Sequence, residues 1–397
     1  NDLTNWKYND KNMLLDNSIT KTIQKIDNHL YRLLKSFEML TYINPINVNS
    51  EKARFFKSKF TVNPNFKYKP IKINPYELTK SLHSIDTTQI EDITIRHLYE
   101  SVITGCIDKI NLLSSIGTDK FLYNSLRYFG RPNKVDIRNA EYILLLPEIK
   151  EENIRGQRFG VDKAKEIFEE AFENYGFKGK IKVDKKSLST VMVINSTKTV
   201  VLKDGATFSQ NELQYLAEHE IGVHMVTTMN ATNNKLKIFS VGLPINTRTG
   251  EGMAVLSEYL SGNFTMNRLR ELALRVVAVD LMCNGSDFKE CFNSLVQDYK
   301  IEHNRAYNLV TRVYRGGGFT KDYLYLNGFS QLFKFWQDGN DLTPLLVGKT
   351  SIGFYNTIVE MIDRNLIEKP QFITKSFAKP RTELNNELFD YILSGLK

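Results

Sequence analysis

Two histidines bracket a glutamate in the segment Glu218-His219-Glu220-Ile221-Gly222-Val223-His224. Imidazole nitrogens bind a divalent metal, and a carboxylate beside them can take a proton from a water that the metal has acidified. These residue types point to metal-assisted amide hydrolysis, with His219 and His224 as ligands and Glu220 as general base. In the usual form of such a helix the histidines stand four apart and share a face. Here they stand five apart. Five residues of regular α-helix turn about 500°, which leaves the side chains roughly 140° apart. A π turn, closed by i→i+5 bonds, returns them to one face. Gly222 lies between them, where backbone distortion costs least, so the spacing predicts a π distortion.

A hydrolytic zinc site takes three protein ligands and keeps one position open for water. Glu251 stands near the first turn of a helix expected just before it, and Glu258 lies seven residues on, on the same face. One of the two can bind the metal while the other accepts a hydrogen bond from a ligand histidine. Two histidines and a glutamate from a following helix form the gluzincin ligand set. The bland alternative is two ordinary helix histidines and a surface carboxylate. It has to explain why two of only six histidines fall here. His29, His83, His97 and His303 have no such context and read as structural or exposed.

Positioning these groups requires a framework. Ser209-Gln-Asn-Glu212 is a capping box that starts the helix carrying the histidines. Before it, the β-branched runs 190–194 and 199–202 read as a hairpin. Ile19, Ile23, Ile26, Leu30, Leu33 and Leu34 recur at helical spacing, predicting a helix over 17–40. Residues 43–75, rich in Pro, Asn and Lys, read as an extended wrap anchored by Phe60, Phe66 and Tyr68. Helices are expected over 76–84, 91–115, 119–128 and 161–175, and over most of the chain from about 250, with a glycine loop at 316–318. The expected fold is α+β and mostly helical, a small β-sheet standing beside the metal-binding helix of a gluzincin-like peptidase. Residues 1–130 read as an N-terminal helical and extended lobe, and 131–397 as the metallopeptidase domain, the two packed as one unit.

The 397 residues are 42% hydrophobic and 25% charged, the balance of a folded globular chain. No apolar run is long enough to span a membrane, and the N-terminal residues lack the apolar region of a signal peptide. Three sparse cysteines, Cys106, Cys283 and Cys291, fit a reduced, cytoplasmic protein better than a disulfide framework. The net charge of +8 favours acidic partners. Its Lys and Arg are spread along the chain rather than massed, so no nucleic-acid partner is expected.

With these residues in view, the chain resembles a known family. His219-Glu-Ile-Gly-Val-His224, Gly242-Leu-Pro and Glu251-Gly-Met-Ala are similar to the HEIGxH and QEGLA-type motifs of the microtubule-associated tyrosine carboxypeptidases and their bacterial relatives. Val313-Tyr-Arg-Gly-Gly-Gly-Phe-Thr-Lys-Asp322 and Tyr325-Leu resemble the family's arginine-glycine and FTKD-type segment. The resemblance runs to about residue 335. It implies that His219, His224 and Glu251 bind zinc and that Glu220 is catalytic. Two positions depart from the pattern: Gly250 replaces Gln or Glu, and Met253 replaces Leu.

The resemblance also implies a carboxypeptidase, acting on the C-terminus of a peptide or protein and removing a terminal Tyr or other aromatic residue. Such an enzyme needs a second group to stabilise the oxyanion and a cation to hold the substrate carboxylate. Tyr323, Tyr325, Arg315 and Lys321 are candidates for the oxyanion, and Arg315, Arg312, Arg248 and Lys321 for the carboxylate, Arg315 first. The glycines at 316–318 either allow close approach of a peptide or form a turn. Competing readings are an endo- or aminopeptidase with the same zinc site, and a regulatory protein holding metal without turnover. The Lys-, Asn- and Ile-rich composition resembles that of an AT-rich bacterial genome, so tubulin is not assumed as the substrate.

Overall fold

The computed structural model describes residues 6–35, 40–146, 157–185, 187, 189–380 and 387–396. The N-terminal half contains α1 (Trp6–Leu34), α2 (Val48–Lys57), α3 (Pro75–His83), α4 (Ile93–Ser114), α5 (Lys120–Phe129), α6 (Lys134–Leu145) and α7 (Val161–Tyr175). A small sheet follows: β1 (Lys180–Asp184), β2 (Val191–Ile194) and β3 (Thr199–Lys203). Then come α8 (Gln210–Ala217), a π turn (Glu218–Met225) and α9 (Val226–Asn233). The longer helices beyond are α10 (Asn246–Leu260), α11 (Met266–Cys283), α12 (Phe288–Gln297), α13 (His303–Tyr314), α14 (Leu324–Gln337) and α15 (Tyr355–Asp363). The fold is α+β and mostly helical.

The hairpin is present, with Val191 opposite Leu202 and Ile194 opposite Thr199. The strand β1, absent from the sequence reading, pairs in parallel with β3, so the order is β1-β3-β2. β3 is buried along most of its length and β2 forms an edge beside the π turn. The capping box forms as expected: the Glu212 amide donates to Ser209 Oγ at 3.1 Å, and the Ser209 amide to Glu212 Oε2 at 2.6 Å.

Other expectations need correction. The helix expected over 17–40 begins at Trp6, and 36–39 lie outside the described residues. Ile23, Ile26, Leu30 and Leu34 are buried on it. Residues 43–75 are not wholly extended, because α2 forms within them. Its Phe55 is fully buried among Phe60, Phe288, Phe292 and Tyr307, and that apolar packing outweighs the poor helix propensity of the Asn-rich surroundings. The glycine loop is a packed turn. Gly316, Gly317 and Gly318 have φ of 77°, 115° and 122°, and a Cβ on Gly316 would stand 2.3 Å from the Phe121 ring. Close packing against α5, rather than approach of a peptide, is what requires glycine there.

The helices α10 and α14 cross backbone to backbone at Gly252 and Gly328. The π turn lies against α10, so the segments carrying His219, His224 and Glu251 are both held on the buried core. The three cysteines are free. Among the described residues, no helix is long and apolar enough to cross a membrane.

Candidate metal centre

The π turn brings His219 and His224 to one side, with ring centroids 4.9 Å apart. From α10, Glu251 reaches the same point: its Oε2 lies 3.5 Å from His219 Nε2 and 3.4 Å from His224 Nε2. One ligand atom from each of the three lies within 4.8 Å of the others. Ligands bound at 2.0–2.1 Å in a tetrahedron stand about 3.3–3.4 Å apart, so the Glu–His separations fit one small cation. Glu251 Oε2 is buried and has no hydrogen-bond partner, which leaves its lone pairs free for that purpose.

Two of the three residues are held from behind. His219 Nδ1 lies 2.7 Å from Glu258 Oε1. Arg268 donates to both oxygens of Glu258 at 3.0 Å. Burial opposes the charge on Glu258, but Arg268 and His219 outweigh it and lower the carboxyl's pKa. An ionised carboxylate only accepts, so Nδ1 is the donor and Nε2 faces the triad. Burial would also lower the pKa of His219. The Glu251 and Glu258 carboxylates flanking its ring carry it up to about 10 instead. A cation bound at Nε2 would compete with a proton for the same nitrogen.

Lys321 fixes the other ligand. Its Nζ donates to Glu251 Oε1 at 2.7 Å and to the Tyr325 hydroxyl at 3.0 Å. Burial opposes ionisation of Glu251, yet Lys321 and the two histidines hold it well below the usual carboxylate range. The Tyr325 ring lies nearly parallel to that of His219, 6.5 Å away. Glu220 follows His219 in the π turn, is buried, and acts on His219 through its charge.

Four of the site residues read from sequence are therefore grouped around the triad: Glu220, Glu258, Lys321 and Tyr325. Three are placed elsewhere. The Tyr323 hydroxyl donates to the Phe129 carbonyl at 2.7 Å, tying α5 down. Arg248 lies beside Tyr323, and its carbonyl faces Gly328. Arg315 is buried against the Phe319 ring and donates to Asn44 at 2.8 Å. None of these three lines the cleft that reaches His224 and Glu251, whereas Lys321 and Arg312 do. Closeness to a motif in the chain did not decide the direction of these side chains.

Sequence reasoning missed Arg268 and Arg275. Arg268 joins Glu258 to Glu271, and Arg275 Nη2 donates to Glu271 Oε1 at 2.5 Å while stacking on Tyr325. Burial pushes the Glu271 carboxyl up, but Arg275 and Arg268 bring it down from its ordinary 4.5 to about 2. A folded-state value below the unfolded one stabilises the fold above pH 4.5, and that contribution is lost as pH falls toward 2. Urea-unfolding midpoints measured between pH 7 and pH 3 are expected to drop below pH 4.5. Glu271→Gln should be less stable at pH 7 and show a shallower drop; equal slopes would remove Glu271 as a source.

The cleft has a volume of about 1160 Å³. Its walls include the edge strand β2 (Met192, Val193 and Ile194) and the start of α10 at Asn246, Thr247 and Gly250. The Gln or Glu missing at Gly250 leaves open space there, with nothing within 4 Å of an added Cβ.

Comparison with known proteins agrees with the motifs. The chain is 25% identical over 355 residues to a Mus musculus protein named "Putative tyrosine carboxypeptidase MATCAP2", a match covering 85% of this chain and 59% of that protein. Residues 53–396 match the profile of the family described as microtubule-associated tyrosine carboxypeptidase. A match over most of its length places the chain in the microtubule-associated tyrosine carboxypeptidase family.

Proposed function

We propose that this chain is a zinc-dependent carboxypeptidase of gluzincin type that releases the C-terminal residue of a peptide or protein. The observation that carries the reading is the convergence of His219, His224 and the unpartnered Oε2 of Glu251 on one point. Family membership supports the exopeptidase part. On this reading residues 131–397 carry the metal site, and residues before 131, among them Lys35, Lys52 and Lys69, contribute to the lining of the cleft.

When bound, zinc would supply Lewis acidity, lowering the pKa of a water toward about 7 and polarising the scissile carbonyl. Glu220 accepts the proton of the attacking water and hands it to the leaving amine. Lys321 and Tyr325, joined by a hydrogen bond, present N–H and O–H groups to the charge that develops on the carbonyl oxygen. Arg312 lines the cleft, and Asp322 takes its Nε and Nη2. Its remaining N–H groups suit a terminal carboxylate better than those of Arg315, which the cleft does not reach.

Nine lysines and Arg312 line the cleft against Asp184 and Glu251. That balance favours an acidic tail over a basic one and offers little to a free ammonium, which counts against aminopeptidase action.

The test is to incubate zinc-loaded protein with peptides bearing free or amidated C-termini and to read the products by mass spectrometry. Loss of one residue from free termini alone is expected, abolished by a chelator and faster on acidic tails at low salt. Internal fragments would replace the reading with an endopeptidase. No turnover by zinc-loaded protein would leave a regulatory metal protein.

A further inference from the structure

A π turn is rarer and less favourable than the α-helix it interrupts, so contacts from outside have to hold it. The Val226 amide reaches the carbonyl of Ile221, a five-residue bond, as well as that of Val223. Where the register returns to four residues, carbonyls are left short of amide donors and need other partners. The His224 carbonyl accepts from the hydroxyls of Thr227 and Thr228 at 3.1 and 2.8 Å, both from the same helix. The Gly222 carbonyl accepts from Thr374 Oγ1 at 2.7 Å, a group 152 residues downstream and 0% exposed.

Thr374 does not reach the turn alone. Asn230 donates to the Phe372 carbonyl at 2.8 Å and accepts from the Phe372 amide at 2.9 Å. The Lys375 amide donates to the Tyr175 hydroxyl at 2.9 Å. At Gly222 a Cβ would stand 3.2 Å from Glu218 and 3.3 Å from the Tyr175 hydroxyl. The turn, α7 and this segment therefore meet around a residue without a side chain.

We propose that segment 372–376 is a strap that fixes the five-residue spacing of His219 and His224, with the Thr374 hydroxyl as its positioning group. The inference rests on the metal reading above. If the turn relaxed to α-helix, the two imidazoles would swing about 140° apart and the site would lose one ligand. Metal affinity is thus set in part from near the C-terminal end of the described chain, by a residue that touches neither ligand.

The experiment compares the full chain with Thr374→Val, Thr374→Ser and Tyr175→Phe. Three quantities are read: zinc affinity by chelator competition, the visible spectrum of the Co²⁺ form, and the unfolding midpoint of metal-free protein. Thr374→Val keeps the shape and removes the donor. Its zinc affinity is expected to fall about 10–100-fold, the usual effect of losing a group that orients a ligand, with altered Co²⁺ bands. Thr374→Ser should restore both, and Tyr175→Phe should weaken zinc binding by less. A folded Thr374→Val with wild-type affinity and spectrum overturns the strap, whether or not its metal-free stability drops. If Thr374→Val does not fold, Tyr175→Phe decides: weaker binding supports the strap, wild-type affinity overturns it. Wild type binding no zinc would sink the metal reading and the strap together, whereas zinc-binding wild type with unaltered variants sinks the strap alone.

Discussion

Glu220→Gln is expected to keep its fold and its metal while losing about three orders of magnitude in kcat/KM for release of a C-terminal residue. The substitution preserves volume and hydrogen-bonding capacity but removes the group that takes the proton. Glu220 is not one of the three converging residues, so the ligand set survives. Its charge is one of several that favour protonated His219, and the larger contributions from Glu251 and Glu258 remain. A thousandfold loss corresponds to about 4 kcal/mol of transition-state stabilisation. The check pairs zinc content and unfolding midpoint with kcat/KM on a peptide that the wild type trims. Metal retained with activity lost assigns the proton transfer to Glu220. Activity within tenfold of wild type would move that role to another group, and loss of metal would show that Glu220 supports the ligands instead.

What could be read from the sequence divides along a physical line. Signals confined to one turn of chain were legible. The capping box at Ser209 and Glu212 is a local exchange of two hydrogen bonds, and it forms. The five-residue spacing of His219 and His224, with Gly222 between, required a π turn if the two were to meet, and the turn is there. Helical spacing put Glu251 and Glu258 on one face of α10 and left open which of them joins the histidines; the resemblance pointed to Glu251, and in the structure Glu251 lies with the histidines and Glu258 behind His219. Contacts between distant segments were not legible. Arg268 pairs with Glu258 across the bend between α10 and α11, and nothing in its surroundings marks it as different from other arginines. Thr374 reaches Gly222 from a stretch with no motif at all. Arg315 and Tyr323 failed for the complementary reason. Their segment is rich in motif residues, but the positive-φ glycines turn the chain between them, and each side chain ends on a partner outside the cleft. The helix α2 was missed because its stability comes from Phe55 packing on distant aromatic rings rather than from local propensity.

The close crossing of α10 and α14 gives the largest expected effect on folding, and the effect of alanine differs in sign between Gly328, at the crossing, and Gly250, just beyond it. At Gly328 a Cβ would lie 2.1 Å from the Arg248 carbonyl oxygen, and at Gly252 2.5 Å from the Gly328 carbonyl. These obstacles are backbone, which cannot rotate aside as a flexible side chain can. The helices would have to separate, undoing packing along their whole contact. Gly328→Ala is therefore expected to cost more than about 3 kcal/mol, at or beyond the upper end for overpacking a core. Gly250 sits on the same helix with nothing within 4 Å of an added Cβ and without a positive φ. Gly250→Ala should stabilise by about 0.4–1 kcal/mol, because alanine loses less backbone freedom on folding and fits the existing conformation. Urea midpoints of the two variants against wild type measure both. The consequence reaches the site, since Glu251 lies between the two glycines of α10 and moves with that helix. Gly328→Ala should weaken zinc binding along with stability, and Gly250→Ala should leave it unchanged. If Gly328→Ala unfolds at the wild-type midpoint, the backbone contact is not what fixes the distance between these helices. The position of Glu251 would then have to come from Lys321 and the π turn alone.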